Sequence, residues 1–217
     1  MGRRESLKVI EARIGTLSNP SKMPGYGTSI PVSMCGIGSK LRLVPGSVCS
    51  ECYAYRGHYP RGRTQRAMLK RFKALTLPSW VDDMAELIGR KCTGPKRYFR
   101  WYDSGDVQAI WHLGNIARVC ELTPDVSHWL PTREYKIVDD YQSNGGIIPS
   151  NLLVRLSAHM IDGPAPEGYG LCTSRVETIT TPDTGHACPA RFQDNQCGTC
   201  RACWDPKVLK VSYRKHP

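Results

Sequence analysis

The sequence lacks any apolar run long enough to cross a bilayer, and its first residues lack the apolar core of a secretion signal. It also lacks internal repeats and long low-complexity tracts. These absences predict a cytoplasmic protein that does not enter a membrane. At 217 residues, 40% of them hydrophobic and 23% charged, the chain is long enough for one globular domain, alone or with a small appendage.

Disulfides are not expected, although the chain contains ten cysteines. Without a secretion signal we expect a reducing compartment, where disulfides rarely persist and clustered thiols more often bind metal or do redox chemistry. Seven cysteines fall into two groups. Of the others, Cys120 lies on the apolar face of a predicted helix and is expected to pack in the core. Cys172 could supply a missing metal ligand.

The last part of the chain carries the most informative cysteine spacing, C-x8-C-x2-C-x2-C. The cysteines of this tail group are Cys188, Cys197, Cys200 and Cys203. Two-residue gaps let successive thiolates turn toward one centre, and ferredoxin-type iron–sulfur clusters use such a run. A four-thiolate zinc site also uses C-x2-C pairs, so zinc is the alternative metal here.

A glycine-rich loop near the N-terminus holds the second group. Cys35 precedes the pair Cys49 and Cys52, and these three are called the loop group below. Three thiolates on a [4Fe-4S] cluster would leave one iron open, and an open coordination position is where a metal can do chemistry. The alternatives are a closed site completed by a fourth ligand and loop cysteines without a metal. One or two clusters are therefore predicted for the chain.

Strand and helix patterns alternate after the basic first third of the chain. Helical periodicity begins at Thr64 and again near Pro78. The further predicted elements are a strand over 98–102, a helix capped by Asp106 and running to Leu122, a strand over 127–130, a helix over 133–142, and strands over 152–156 and 168–173. This order predicts an α/β fold with a mostly parallel sheet, forming a barrel or part of one. We predict a partial (β/α) barrel over 1–179 and a Cys-rich, metal-binding appendage over 180–217.

Polar residues follow three of the predicted strands, where the active centre of an α/β barrel lies. Each of them also has a structural interpretation, for example Asp106 as a helix cap. Together they predict a pocket for a polar, small-molecule or nucleotide ligand, and a glycine there would allow close approach to the backbone. The candidate catalytic residues are Asp103, Asp106, Arg133, Glu134 and Arg155, and the candidate cofactor-binding residues are Ser104, Gly105 and Asp106.

Positive charge is concentrated in the first half of the chain. Residues 1–100 contain 19 Lys and Arg against 6 Asp and Glu, whereas residues 101–217 contain 11 against 13. Tyr53, Tyr55, His58 and Tyr59 are interleaved with the basic residues, which suits phosphate contact and base stacking. Nucleic-acid binding is therefore one interpretation of this half, and a solvated basic helix face is the other.

Several motifs resemble those of the actinobacteriophage "gene product eighty-eight" family. They include SKMPG at 21–25, GSKL at 38–41, PGSVCSECYA at 45–54, FRWYDSGD at 99–106, WLPTREYK at 129–136, and the segment 197–205. The resemblance covers nearly the whole chain. It implies a phage protein that works in the cytoplasm of the host cell.

A more distant similarity is to phage proteins grouped with the radical S-adenosylmethionine (SAM) enzymes, which bind SAM at the open iron of a [4Fe-4S] cluster inside a partial barrel. The similarity rests on C-x2-C followed by Tyr53 and Ala54, ahead of serial β/α units. It implies that the loop group binds the cluster and that Ser104, Gly105 and Asp106 lie near the SAM amino group. Radical SAM enzymes usually have C-x3-C-x2-C, whereas this chain has C-x13-C-x2-C, a longer loop that can still close around a cluster.

Two functions from different classes follow from these observations. The first is an iron–sulfur enzyme, either radical-SAM-like or of another redox type. The second is a non-catalytic protein, stabilised by an iron–sulfur cluster or zinc, that binds nucleic acid or a host factor.

Overall fold

The computed structural model describes residues 5–179 and 185–215. The α-helices are α1 (Leu7–Ile14), α2 (Gly36–Leu41), α3 (Gly62–Ala74), α4 (Trp80–Lys91), α5 (Ile110–Leu122) and α6 (Tyr135–Ser143). Short 3-10 turns cover Val32–Met34, Tyr53–Tyr55, Gly94–Lys96, Pro189–Phe192 and Ala202–Trp204. No helix within the described ranges combines the length and apolar character needed to span a membrane.

Seven parallel strands form one sheet that curves into a half-barrel. They are β1 (Tyr26–Gly27), β2 (Tyr98–Arg100), β3 (Ser127–Thr132), β4 (Leu152–Ser157), β5 (Cys172–Glu177), β6 (His186–Ala187) and β7 (Lys210–Arg214). The order in the sheet is β1-β2-β3-β4-β5-β7-β6, and every neighbouring pair is parallel. The predicted α/β class and partial barrel are confirmed.

Helices α1, α4, α5 and α6 pack side by side and cover the sheet. Their apolar faces meet the strands in one core, in which Leu87, Ile116 and Leu130 are completely buried. The core explains the helical periodicity of the sequence, because each amphipathic helix buries one face against the strands. Cys120 lies in this core with no exposed surface, as predicted from its helix face.

Two predicted elements were misplaced. The strand predicted over 168–173 corresponds to β5, which begins only at Cys172. It begins later because Gly168 and Gly170 turn the chain with φ values of +84° and +63°. Helix α5 was predicted to be capped by Asp106, but it begins at Ile110 and its N-cap residue is Ala109. The prediction was wrong because the Asp106 carboxylate is bonded to the end of the neighbouring strand β3 instead.

The C-terminal segment is built into the sheet. Strand β7 lies between β5 and β6, and its register pairs Thr173 with Lys210 and Glu177 with Arg214. The structure therefore does not show an appendage attached beside the sheet. The predicted boundary at 179/180 falls on residues 180–184, which lie outside the described residues.

Candidate metal and ligand site

A cavity of about 370 Å³ opens at the carboxyl edge of the sheet. Its walls come from the loop after β1 and from the residues that follow β2, β3, β4 and β7. Because parallel strands end at the same edge, residues that are distant in sequence meet there. The predicted site residues that line it are Cys35, Cys49, Cys52, Asp103, Ser104, Gly105, Asp106 and Arg133.

The three cysteines of the loop group meet at the cavity. A side chain at Gly38 would be 3.5 Å from Cys35 Sγ and 3.7 Å from Cys49 Sγ, so the glycine leaves the space beside these two sulfurs open. Cys52 follows in a tight turn, in which its N–H donates to the Cys49 carbonyl at 3.3 Å. All three thiols are free and half-buried.

A buried serine fixes the turn that carries Cys49 and Cys52. Ser47 Oγ donates to the Leu41 carbonyl at 2.5 Å and accepts from the Ser50 N–H at 2.9 Å. Ser47 has no exposed surface, so these bonds are shielded from water. The end of α2 and the C-x2-C turn are thus joined at one point, which holds the loop group together locally.

The electrostatic environment favours the protonated thiols of Cys35 and Cys49 in the metal-free protein. Burial raises the pKa of Cys35 to about 12, and the negative charges of Asp106 and Cys52 contribute in the same direction. Burial also raises the pKa of Cys49, while the positive charge of Arg133 opposes it. The negative charge of Cys52 contributes to the increase at both Cys35 and Cys49, as expected for thiols that line a common space. A metal would have to displace these protons on binding.

Glu134 lies outside the cavity lining and orients the segment that follows Cys35. Its Oε1 accepts the N–H of Ile37 at 2.6 Å. Burial raises the pKa of this carboxyl, and the bonds from the N–H groups of Ile37 and Gly36 oppose the increase. Glu134 was predicted as a catalytic candidate, and the structure places it as a positioning residue for the loop group.

Asp106 is 7% exposed and receives three hydrogen bonds at the end of β2. Its Oδ1 accepts from Thr132 Oγ1 at 2.6 Å and from its neighbour's N–H, that of Val107, at 2.8 Å. Its Oδ2 accepts from the Arg133 N–H at 2.9 Å. Burial raises the pKa of Asp106 to about 6, and these bonds oppose the increase. Such a carboxyl can change protonation state near neutral pH, as an acid or base must.

The residues before Asp106 form the cavity wall. Ser104 Oγ donates to the Ile30 carbonyl at 3.1 Å, which fixes the loop after β1 against the end of β2. Gly105 has a φ of +87°, and a Cβ there would lie 2.1 Å from Ile30 Cγ1. Asp103 Oδ2 accepts from the Tyr59 hydroxyl at 3.0 Å. Asp103, Ser104 and Gly105 thus hold the cavity wall in place next to the Asp106 carboxyl.

The two predicted arginines have different surroundings. Arg133 lines the cavity, and its Nε donates to the Ala158 carbonyl at 3.2 Å. Arg155 is completely buried and is not part of the lining. Its guanidinium donates to four backbone carbonyls, those of Thr173, Leu209, Ala202 and Val208. Arg155 therefore joins strand β4 to the C-terminal segment.

Some cavity residues were not predicted from the sequence. Arg100, Arg175 and Tyr213 line the cavity, and the Nε atoms of both arginines are buried without a hydrogen-bond partner. Burial alone would lower the pKa of Arg100, but the negative charges of Tyr53, Asp103 and Tyr213 nearby raise it above its ordinary value. Tyr213 was missed because buried and exposed residues do not alternate along strand β7, so no two-residue period marks the strand.

The tail group lies outside the cavity lining, at the β6 and β7 side of the sheet. Cys188 N–H donates to the Ser212 carbonyl at 2.8 Å, and Cys203 Sγ lies 3.1 Å from the Tyr213 hydroxyl. Cys200 Sγ lies 3.4 Å from His186 Nε2. Burial raises the pKa values of Cys188 and Cys197, and the charge of Cys200 adds to both increases. The four free thiols are thus close enough to influence one another.

Within the described ranges, no three His, Cys, Asp or Glu side chains are arranged around a point that could hold a single metal ion. A tetrahedral zinc ion needs sulfurs about 2.3 Å from one centre. A [4Fe-4S] cluster instead binds each thiolate to a different iron, so its ligands lie further apart. The sulfurs of Cys35 and Cys49 lie beside the open space at Gly38, and Cys52 lines the same cavity, so these three free thiols are the residues that could hold a cluster of this kind.

The fold and site define a parallel α/β half-barrel protein with a thiol-lined cavity at the carboxyl edge of its sheet. The chain belongs to the Gene product 88 family, whose sequence profile matches residues 11–206. The resemblance to this family is thereby confirmed. No curated protein and no solved structure matches the chain.

Proposed function

We propose that the protein binds an iron–sulfur cluster through Cys35, Cys49 and Cys52 and carries out a redox reaction on a polar molecule held in the adjoining cavity. The observation that carries this proposal is the convergence of three free thiols on a cavity lined by Asp106 and Arg133. A bound cluster would supply one-electron transfer and, at an iron without a protein ligand, an open coordination position.

The cavity residues have distinct roles in this proposal. Arg133 and the half-buried Arg100 would bind negative groups of the ligand, because their positive charges face a partly enclosed space. Asp106 would exchange a proton with the ligand, since burial raises its pKa to about 6. Glu134 would keep Cys35 in place through its bond to the Ile37 N–H.

A radical-SAM-like activity is the more specific form of the proposal. The support for it is the position of the loop group at the carboxyl edge of a parallel half-barrel, beside Ser104, Gly105 and Asp106. Calorimetry with SAM and reductive cleavage of SAM under dithionite test this form. A protein that binds a cluster but has no affinity for SAM would refute the radical-SAM-like activity and would remain consistent with a redox reaction of another type.

For the tail group we propose a second metal site formed by Cys188, Cys197, Cys200 and Cys203. Iron–sulfur and zinc are the alternatives. A single zinc ion would require these thiols to move closer to one centre than they lie in the structure, and it would stabilise the segment without taking part in the reaction. Metal analysis of a variant without the loop group distinguishes them, because only the tail group then remains.

The test is anaerobic purification followed by analysis of iron, sulfide and zinc. We expect brown protein with stoichiometric iron and sulfide, and loss of an electron paramagnetic resonance signal of the reduced protein in the triple variant Cys35→Ala/Cys49→Ala/Cys52→Ala. Cys92→Ala is the matched control, because it removes a buried thiol outside both groups. Colourless protein rich in zinc, or a loop-group variant with unchanged iron and spectrum, would refute the proposal.

A further inference from the structure

We propose that a single-stranded nucleic acid binds along a row of basic side chains that begins at the cavity mouth, and that one of its nucleotides enters the cavity. Binding along this row does not depend on the proposed function. The idea that a nucleotide is the substrate in the cavity does rest on the proposed function. The row, called the basic strip below, consists of Arg56, Arg61, Arg63, Arg66, Lys70 and Lys73.

The charge of this region is of one sign. Residues 52–81 contain seven Lys and Arg and no Asp or Glu. All six residues of the basic strip are exposed. Within the described ranges, every ion pair lies elsewhere, as between Arg118 and Glu121. Six exposed cations that form no ion pair in the described residues give a local positive field that favours a polyanion.

The helical part of the basic strip is a straight row. Arg63, Arg66, Lys70 and Lys73 are spaced by three, four and three residues, so they share one face of α3. Ten residues of helix extend over about 15 Å, long enough for several phosphates of one strand. The inward face of α3 carries Met68, which has no exposed surface. The row therefore points to solvent as a consequence of how α3 packs.

The basic strip is physically joined to the cavity. Tyr53 and Tyr55 line the cavity and directly precede Arg56. The Tyr53 hydroxyl donates to the Asp103 carbonyl, and its ring meets that of Tyr59 edge-on at 5.6 Å. Gln65 Nε2 of α3 donates to the Tyr59 carbonyl at 2.9 Å. A strand bound on α3 is thus led to the mouth by a fixed segment.

Aromatic rings at the mouth favour a single strand over a duplex. Tyr53 is 45% exposed, although its hydroxyl is bonded, so its ring can stack with an unpaired base. The Arg42 guanidinium lies 3.5 Å above the ring of Tyr55, a lining residue, and adds a positive charge there. The cavity volume of about 370 Å³ is within the range of small-ligand sites, and Arg100 and Arg175 offer unpaired nitrogens inside it.

The test measures anisotropy of dye-labelled oligothymidylate and oligouridylate over a series of salt concentrations. The strip variant is Arg63→Ala/Arg66→Ala/Lys70→Ala. We expect the wild type to bind with affinity that falls steeply with salt, and the strip variant to lose about two units of the slope, at about 0.7 for each phosphate contact of a single strand. Binding of either oligomer with this salt dependence would support the proposal, and binding of neither would overturn it.

The matched control is Lys96→Ala/Arg97→Ala/Lys207→Ala, which removes three exposed positive charges from segments that precede β2 and β7, at the amino edge of the sheet. It should keep most of the affinity. Equal weakening by both variants, or tighter binding of polyglutamate than of the oligonucleotides, would overturn the proposal. Circular dichroism confirms that each variant is folded.

Further variants distinguish the contribution of base stacking on Tyr53 from that of a cluster bound by the loop group. Tyr53→Leu should weaken binding about tenfold through loss of a stacked base, while Tyr53→Phe keeps the ring and should bind like the wild type. The variant Cys35→Ala/Cys49→Ala/Cys52→Ala should still bind oligonucleotide, because the basic strip does not depend on a metal. A protein that binds oligonucleotide but contains no iron would support this inference and refute the proposed function. A protein that contains iron but does not bind oligonucleotide would support the proposed function and refute this inference.

Discussion

The Trp204 indole N–H donates to the Phe99 carbonyl at 3.0 Å, across 105 positions of sequence. The bond is buried, and the indole also meets the rings of Tyr98 and Trp129 edge-on at 5.4 and 5.2 Å. Trp204 directly follows Cys203, the last cysteine of the tail group. The segment that carries the tail group and strand β2 are therefore connected by one side chain.

Trp204→Phe should lower the free energy of unfolding by about 1–3 kcal/mol, because the Phe99 carbonyl stays buried without its donor while most of the ring packing remains. Urea denaturation measures the change. Trp111→Phe is the control, since Trp111 is 47% exposed and should change the stability by less than about 0.5 kcal/mol. Equal effects of the two substitutions would show that the bond does not stabilise the tail.

The sequence predicted the helices and the central strands better than the two edge strands of the sheet, β1 and β6. Strands β3 and β4 and helices α3 to α6 were found because their apolar residues repeat over one or more turns or pleats. Strands β1 and β6 have only two residues each, so no period can be recognised. They form because neighbouring strands already present free backbone groups, which is a property of the whole sheet.

The site was predictable where spacing or strand order brings residues together. The loop group came from cysteine spacing, and Asp103 to Asp106 came from the end of a predicted strand. Arg155 also follows an apolar run, but its guanidinium turns toward the backbone carbonyls of the C-terminal segment. The sequence does not show which way a side chain turns, so its role could be assigned only from the structure.

Arg155→Met should destabilise the protein by more than about 3 kcal/mol, because several buried carbonyls lose their donors at once. The melting temperature of the metal-free protein measures this. Arg155→Lys should be intermediate, since an ammonium reaches only some of the acceptors. The matched control is Arg118→Met, an exposed member of an ion pair with Glu121, which should cost less than about 1 kcal/mol. A stable Arg155→Met protein would contradict the structural role.

Gly105→Ala should disrupt the cavity wall through two effects, the positive φ of +87° and a contact of 2.1 Å with Ile30 Cγ1. Gly145→Ala separates them, because Gly145 has a φ of +81° and no atom within 4 Å of a Cβ. We expect Gly145→Ala to cost about 1–2 kcal/mol and Gly105→Ala clearly more. Thermal unfolding of both variants checks the difference.

The double variant Ile30→Ala/Gly105→Ala tests the steric part directly. It should be less destabilised than the sum of its two single variants, because the smaller side chain at position 30 removes the clash. Additive costs would mean that the backbone conformation at Gly105, and not the contact with Ile30, sets the requirement for glycine.

Asp106→Asn should change how stability depends on pH. Burial raises the folded-state pKa of Asp106 to about 6 from an ordinary 3.8, so the folded protein favours the protonated form. Its contribution to stability is therefore fully present below the ordinary value and is lost as the pH rises through about 6. The wild type should lose up to about 3 kcal/mol relative to Asp106→Asn over this interval.

Urea denaturation of the metal-free proteins at a series of pH values measures this difference without the pH dependence of thiolate–metal bonds. The amide cannot accept the Arg133 N–H with its nitrogen, so Asp106→Asn should also lose one hydrogen bond at every pH. That constant loss lowers the plot of unfolding free energy against pH for Asp106→Asn without changing its slope. Parallel curves for the two proteins would mean that the pKa of Asp106 is the same in the folded and unfolded states, because the three donors around it offset its burial.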